Sequence, residues 1–186
     1  MPQGSSKSGP LTDTDIGGLT LWIVGFLCEF FADLQKYKFK QDSNNDDRFC
    51  TKDLWTWSRH PNYFGEIIQW WGIFTIYTET IREPWMWIGI ISPLFITCLL
   101  LFLQVPALEQ HSDVRFASIE EYQDYKHSTS PIIPMPPELY VGIPDFLKKL
   151  LLFELPFYDH IPDDAKPKEP QKTLPRSSRR DMDMPF

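Results

Sequence analysis

Pro84 to Leu103 reads PWMWIGIISPLFITCLLLFL, a run of 20 residues without a single charge. A helix needs about 20 apolar residues to cross the hydrocarbon core of a bilayer, so this stretch decides the fold class: a helical membrane protein. Pro93 in its middle predicts a kink, tolerated where neighbouring helices re-satisfy the freed backbone groups. Upstream, only the turn around Arg82 and Glu83 separates it from a second segment, so the two should form a tight antiparallel hairpin. That segment opens with SRHPNYFGEIIQWW (Ser58 to Trp71) and extends to about Ile81. Pro61 suits the first helical turn, where its missing N–H costs nothing. A third apolar stretch, Ile16 to Ala32, is nearly long enough to cross as well, with Glu29 close to its end. The expectation is an all-α integral membrane bundle of about three spans over residues 16–158. The polar, Pro- and charge-rich tails 1–15 and 159–186 cannot bury enough surface to order themselves.

Basic residues set the topology. Lys36, Lys38, Lys40, Arg48, Lys52 and Arg59 fall between Asp33 and Asn62, and Arg115, Lys126, Lys148 and Lys149 follow Leu103. Lys7 alone precedes the first span, and Arg82 alone sits in the hairpin turn. The positive-inside rule puts the 33–62 loop and the C-terminal part together on the cytoplasmic side. Glu109 to Lys126 reads as one helix ending in EEYQDYK, and STSPIIPMPPELY is too rich in proline to be helical. Phe146 to Leu155 (FLKKLLLFEL) reads as a short helix suited to the membrane interface.

Composition removes several classes of function. A net charge of −7 and a pI near 5.0, with no basic patch, argue against nucleic acid as a partner. Three widely spaced cysteines make neither a disulfide framework nor a metal-binding pair. His60, His111, His127 and His160 show no metal-ligand spacing, so no metal is expected. Residues 1–15 lack the apolar core of a signal peptide. There is no GxGxxG, no Walker-type loop and no nucleophile elbow, so a nucleotide would be held outside the Rossmann and P-loop modes.

Two polar constellations stand out in this apolar chain. Asn62, Glu66 and Gln69 recur at i, i+4 and i+7 on one helical face, with the Arg59–His60 pair just before them. Polar groups there are costly unless paired, and Tyr63 leaves Glu66 no capping-box partner. They either hold neighbouring helices together or meet a ligand, and ligand contact is the favoured reading. Glu29, Asp33, Lys36 and Lys40 form a second stripe. Its like-charge i,i+4 pairs oppose an isolated helix by a few tenths of a kcal/mol each. The stripe is either a solvated face or a nucleotide contact, with acids toward ribose and amide groups and lysines toward phosphates. Tyr122 and Tyr125 read as interface-belt aromatics.

ADLQKYKFK, LWTWSRHPNYFGEIIQWWG and EEYQDYKHSTSPIIP together resemble the C-terminal domain of the steroid 5-alpha-reductase family of integral membrane enzymes. The likeness covers Gly17 to Pro137. The isoprenylcysteine carboxyl methyltransferases share the RHP motif, but Asn62 and Glu66 match the reductase pattern better. The resemblance implies an NADPH site at the cytoplasmic helix ends, in the endoplasmic reticulum. Carried over by motif, that site takes in Asp33 and Lys40, then Asn62 and Glu66, then Tyr125. Lys36, Arg59 and His60 lie beside these, and Arg115 stands for a family arginine. The implied reaction is hydride transfer to the β-carbon of an enone in a lipid substrate reached from the bilayer. In the family a Glu and a Tyr on N-terminal membrane helices bind the substrate carbonyl, and only residues 1–15 precede the first span here. The cofactor half is therefore expected without the substrate half, as in a truncated product or a chain completed by a partner subunit. Two other functions compete: an S-adenosylmethionine-dependent membrane methyltransferase, and a non-catalytic membrane interaction protein that keeps the fold.

Overall fold

The computed structural model describes residues 10–161, and among them every regular element is helical. α1 spans Asp13–Gln41, 29 residues that run roughly 44 Å at 1.5 Å per residue. It begins with a capping box in which Asp15 N–H donates to Thr12 Oγ1 at 3.1 Å and Thr12 N–H donates to Asp15 Oδ2 at 3.0 Å. The helix thus starts inside the stretch read as an N-terminal tail, because Thr12 and Asp15 satisfy each other's backbone. The rest of both expected tails, 1–9 and 162–186, lies outside the described residues.

α3 (Pro61–Thr78) runs antiparallel to α1, and small residues set the closeness of the pair. Gly18 meets Gly72 and Gly25 meets Gly65, so that a Cβ on Gly65 would stand 2.6 Å from the backbone nitrogen of Glu29. Ala32 and Ser58 continue the two seven-residue series, and both are fully buried. Backbones in such contact gain dispersion along their whole length, the usual glue between helices in lipid.

After α3 the chain turns at Glu79–Ile81 and enters a 3-10 helix, Pro84–Ile90, before α4 (Ile91–Leu99). The expected kink at Pro93 is displaced: Pro93 sits in the first turn of α4, where proline is harmless. The irregularity comes later, as a π-helical segment over Leu100–Gln104 leading into α5 (Val105–Phe116). Val105 N–H reaches back five residues to the Leu100 carbonyl, at the head of the bulge. In that register the next donor, for Leu101, would be residue 106, which is proline. The Tyr158 hydroxyl supplies the missing donor, 2.6 Å from the Leu101 carbonyl.

The single helix expected over Glu109 to Lys126 is two. The chain breaks at Ala117–Ile119 and returns as α6 (Glu120–Ser128). A continuous helix would hold residues 113 and 126 roughly 20 Å apart, whereas the turn brings Lys126 Nζ to 2.7 Å from Asp113 Oδ1. The Pro-rich stretch ends in a short helix, α7 (Pro137–Gly142), followed by α8 (Asp145–Leu151). Ile161, read as tail, packs against Phe116 and Tyr122.

Among the described residues two helices are long and apolar enough to cross a membrane, Asp13–Gln41 and Pro84–Phe116. Only 17% of the apolar window of each is buried, so their Leu, Ile and Phe side chains face outward. Apolar faces of this size associate the chain with a membrane. The short helix α2 (Leu54–Trp57), the 42–53 loop, α6 and the C-terminal segment gather at one end of α1 and α3. Phe49 packs there on Phe116, Tyr122 and Tyr125 at 5.5, 5.1 and 5.6 Å, and Trp55 Nε1 donates to the Ala32 carbonyl at 2.9 Å.

Candidate functional site

RHPNYFGE divides into two halves with different environments. Arg59 N–H donates to the Ser130 carbonyl at 2.8 Å, and the Ser58 hydroxyl donates to the Ile132 carbonyl at 2.8 Å. These bonds pin the chain before Pro61 and send the next two side chains inward. Arg59 is 5% exposed. Its Nε donates to Glu109 Oε1 at 3.2 Å and its Nη2 to Glu154 Oε1 at 3.0 Å. Its Nη1 donates to the carbonyls of Lys126 and Thr129 at 2.6 and 3.1 Å. Four of the five guanidinium donors are therefore directed at the protein itself.

Around this fork lies a buried ionic knot. His60 Nε2 is 2.7 Å from Glu109 Oε1. Burial pushes the imidazole below its ordinary range, so the ring is neutral and donates Nε2–H to the carboxylate. Lys126 Nζ lies 2.5 Å from Asp113 Oδ2, 2.9 Å from the Tyr158 carbonyl and 3.5 Å from Glu109 Oε2. Three carboxylates (Glu109, Asp113, Glu154) face two cations (Arg59, Lys126), and phenols serve the excess. Tyr122 donates to Asp113 Oδ1 at 2.7 Å and Tyr140 donates to Glu154. Burial and the adjoining carboxylates push both phenols well above the ordinary tyrosine range, so they stay protonated.

One turn further on, Asn62, Tyr63, Glu66 and Gln69 are only half-buried and Asp33 is exposed. Glu66 on α3 lies where the charges of Glu29 and Asp33, from the end of the apolar part of α1, act on it. Gln69 Nε2 donates to Glu29, and the Cys28 thiol donates to the Pro61 carbonyl at 3.3 Å, which fixes the register of the two helices here. Tyr63 stacks on His60 with ring centroids 5.7 Å apart and lies within electrostatic reach of Glu66 and Asp33. Asn62 Oδ1 is buried and accepts no hydrogen bond among the described residues. A buried carbonyl oxygen left unpaired costs about 1–3 kcal/mol. Orphaned acceptors of that kind call for an explanation, and an external donor is one.

The residues singled out from the sequence are thus dispersed in role. Asp33, Asn62 and Glu66 share the open corner. Arg59 and His60 adjoin it but are committed to the knot. Lys36 sits over the Trp55 ring at 4.5 Å, and Lys40 Nζ donates to the Arg48 carbonyl at 3.0 Å, both further along α1. Arg115 pairs with Asp47 at 2.8 Å and with the Asp46 carbonyl at 2.7 Å on an exposed loop. The Tyr125 hydroxyl donates to the Trp55 carbonyl at 2.6 Å, so neither this residue nor Tyr122 is an interface-belt aromatic. Asp113 and Glu154 are not among the residues that the sequence singles out, and Lys126 enters there only as a basic residue that sets topology. The i,i+4 spacing of Glu109 and Asp113 was the available sign, two acids on one face that require cations from elsewhere.

Fold and site together define a helical, membrane-associated protein with a cross-linked polar end beside an open acidic corner. Residues 1–129 match the family model described as "Protein of unknown function (DUF1295)", and the chain belongs to that family. No curated protein and no solved structure matches it.

Proposed function

We propose that this chain is the cofactor-binding part of a membrane-bound, NADPH-dependent oxidoreductase that reduces a C=C bond in a lipid or steroid-like enone. The likeness to the steroid 5-alpha-reductase C-terminal domain supplies the reaction class. The observation that carries the reading is the open corner, where Asp33 and Glu66 come within electrostatic reach beside the orphaned Asn62 oxygen.

The residues present fit such a group. Asn62 Oδ1 needs a donor, as a carboxamide N–H provides, and the Asp33 and Glu66 carboxylates accept from ribose hydroxyls. One and two turns further along α1, Lys36 is half-buried over Trp55 and Lys40 is exposed with donors left beside its bond to the Arg48 carbonyl, so of the two Lys40 suits phosphates better. NADPH, when bound, supplies a hydride to the β-carbon of an enone. The protein's part is positional: the knot holds Arg59 and His60, which fix the start of α3 and so the aim of Asn62 and Glu66. The apolar walls of α1 and α3 keep water from the acceptor side.

In this reading α3, about 27 Å long at 18 residues, crosses antiparallel to α1 and gives the protein three spans. The basic loop and C-terminal part face the cytoplasm, and the bilayer is that of the endoplasmic reticulum. The substrate side is completed by further membrane helices or a partner subunit. Titrating detergent-solubilised protein with NADPH tests the proposal. Saturable binding that is lost in Glu66→Ala is expected, and preference for S-adenosylmethionine over NADPH overturns it.

A further inference from the structure

The C-terminal pair α7–α8 turns large apolar side chains outward and one lysine inward, with Asp145 and Lys149 exposed beside them. On α8, Lys148 is 6% exposed and its ammonium sits 4.5 Å above the Tyr140 ring, while Phe146 and Leu150 are 67% and 70% exposed. Leu151 from the same helix and Leu139 and Val141 from α7 are also open. In water this arrangement wastes apolar burial on the outside and pays for a buried cation inside.

The height of this face along the bundle is fixed by two contacts. The Tyr158 hydroxyl binds the Leu101 carbonyl, and Phe157 packs on Phe102 with centroids 6.1 Å apart. Leu101 and Phe102 are among the last residues of the apolar run Pro84 to Leu103, the level at which that helix leaves the hydrocarbon. Phe102 and Leu103 are themselves exposed, so the outer apolar surface passes from the membrane helix through Phe157 toward α8. From the other side, Glu154 is held by Arg59, immediately before the start of α3.

We infer that α7–α8 is a monotopic plate lying in the lipid interface of the leaflet that α1 leaves and α3 enters, with Phe146, Leu150 and Leu151 inserted between headgroups and acyl chains. Its occupant is the bilayer surface, and the reductase reading is not needed for it. Insertion of this kind reaches about 5–10 Å below the headgroups.

The test uses the full chain in phosphatidylcholine vesicles. An environment-sensitive nitrobenzoxadiazole label is placed at Phe146→Cys, Leu150→Cys or, as a water-side control on α6, Asp124→Cys. All three are made in a Cys98→Ala parent whose own labelling is measured. These positions are exposed, so the fold does not depend on them. At 146 and 150 the emission is expected to shift to the blue and to be quenched more by lipids spin-labelled near the headgroup than near the chain end. The 124 label should match its emission in water and escape quenching. Labels at 146 and 150 that behave like the 124 label overturn the inference, as does quenching strongest from the chain end. A blue shift insensitive to spin-labelled lipid and lost on diluting the protein in lipid assigns the face to a second copy, and overturns it too.

Discussion

The ionic knot and the acidic corner are neighbours in the chain, three residues separating Arg59 from Tyr63, yet they solve the same problem in opposite ways. In the knot, charges removed from water are matched by charges: a four-point guanidinium, an Asp113 that accepts from Tyr122, Lys126 and His160, and phenols where carboxylates exceed cations. Even Glu109 Oε2, which accepts no hydrogen bond among the described residues, lies 3.5 Å from the Lys126 ammonium. At the corner, acids stand near acids and a buried amide oxygen accepts nothing. A polar cluster whose charges are paired without a visitor belongs to the fold. One that remains in deficit is where a visitor belongs. Charge in an apolar setting is therefore not by itself a sign of function, and the satisfaction of its partners is the better guide.

The contrast can be broken by substitution, starting with the knot. Arg59→Ala leaves the buried Glu109 and the half-buried Glu154 without their guanidinium and should cost about 3–5 kcal/mol, seen as a large fall in the thermal midpoint of the detergent-solubilised protein. A small loss would mean that the knot is wet and the division false. Gly65→Ala forces a Cβ onto the α1 backbone, and overpacking of about 1–3 kcal/mol is expected by the same measurement. Tyr158→Phe strips the donor from the Leu101 carbonyl and should cost about 1–3 kcal/mol; loss of amide protection confined to 100–106 in hydrogen exchange would place the damage at the bulge.

The pH response is smaller and its sign is fixed by His60. Its folded pKa lies below the ordinary value of 6.5, so the unfolded chain takes up the proton first as pH drops. Stability is full above that value and declines below it, by at most about 1.4 kcal/mol per pH unit. Thermal midpoints collected from neutral to mildly acid pH should show this slope, and His60→Gln should flatten it. Last comes the corner itself. Glu66→Gln should alter stability by no more than about 0.5 kcal/mol while weakening NADPH binding. A variant that unfolds instead would move Glu66 into the structural half.

What the sequence displayed was what is local. An uncharged run, a proline at a helix start and an i, i+4, i+7 face need no knowledge of the rest of the chain, and α1, α3 and the outward apolar faces followed from them. The partners of Arg59 did not, because Glu109 and Glu154 lie 50 and 95 residues away and no periodicity links them. Pro93 is conspicuous because it sits mid-run, yet Pro106 is the proline that matters: it leaves the Leu101 carbonyl of the π segment without a backbone donor. The seven-residue series 18, 25, 32 and 58, 65, 72 was in plain view. It carries no hydrophobic contrast, so a search for apolar faces slides past it.

The strap formed by residues 152–161 also has a practical meaning. Tyr158 closes the bulge with its hydroxyl and grips Lys126 with its carbonyl, and the His160 amide completes Asp113 at 2.8 Å. A purification tag or fusion partner joined at the C-terminus keeps this whole strap in the chain. Trimming back past Tyr158 uncorks the membrane helix and the knot in one cut, so a shortened version that aggregates would report the lost strap and reveal nothing about catalysis.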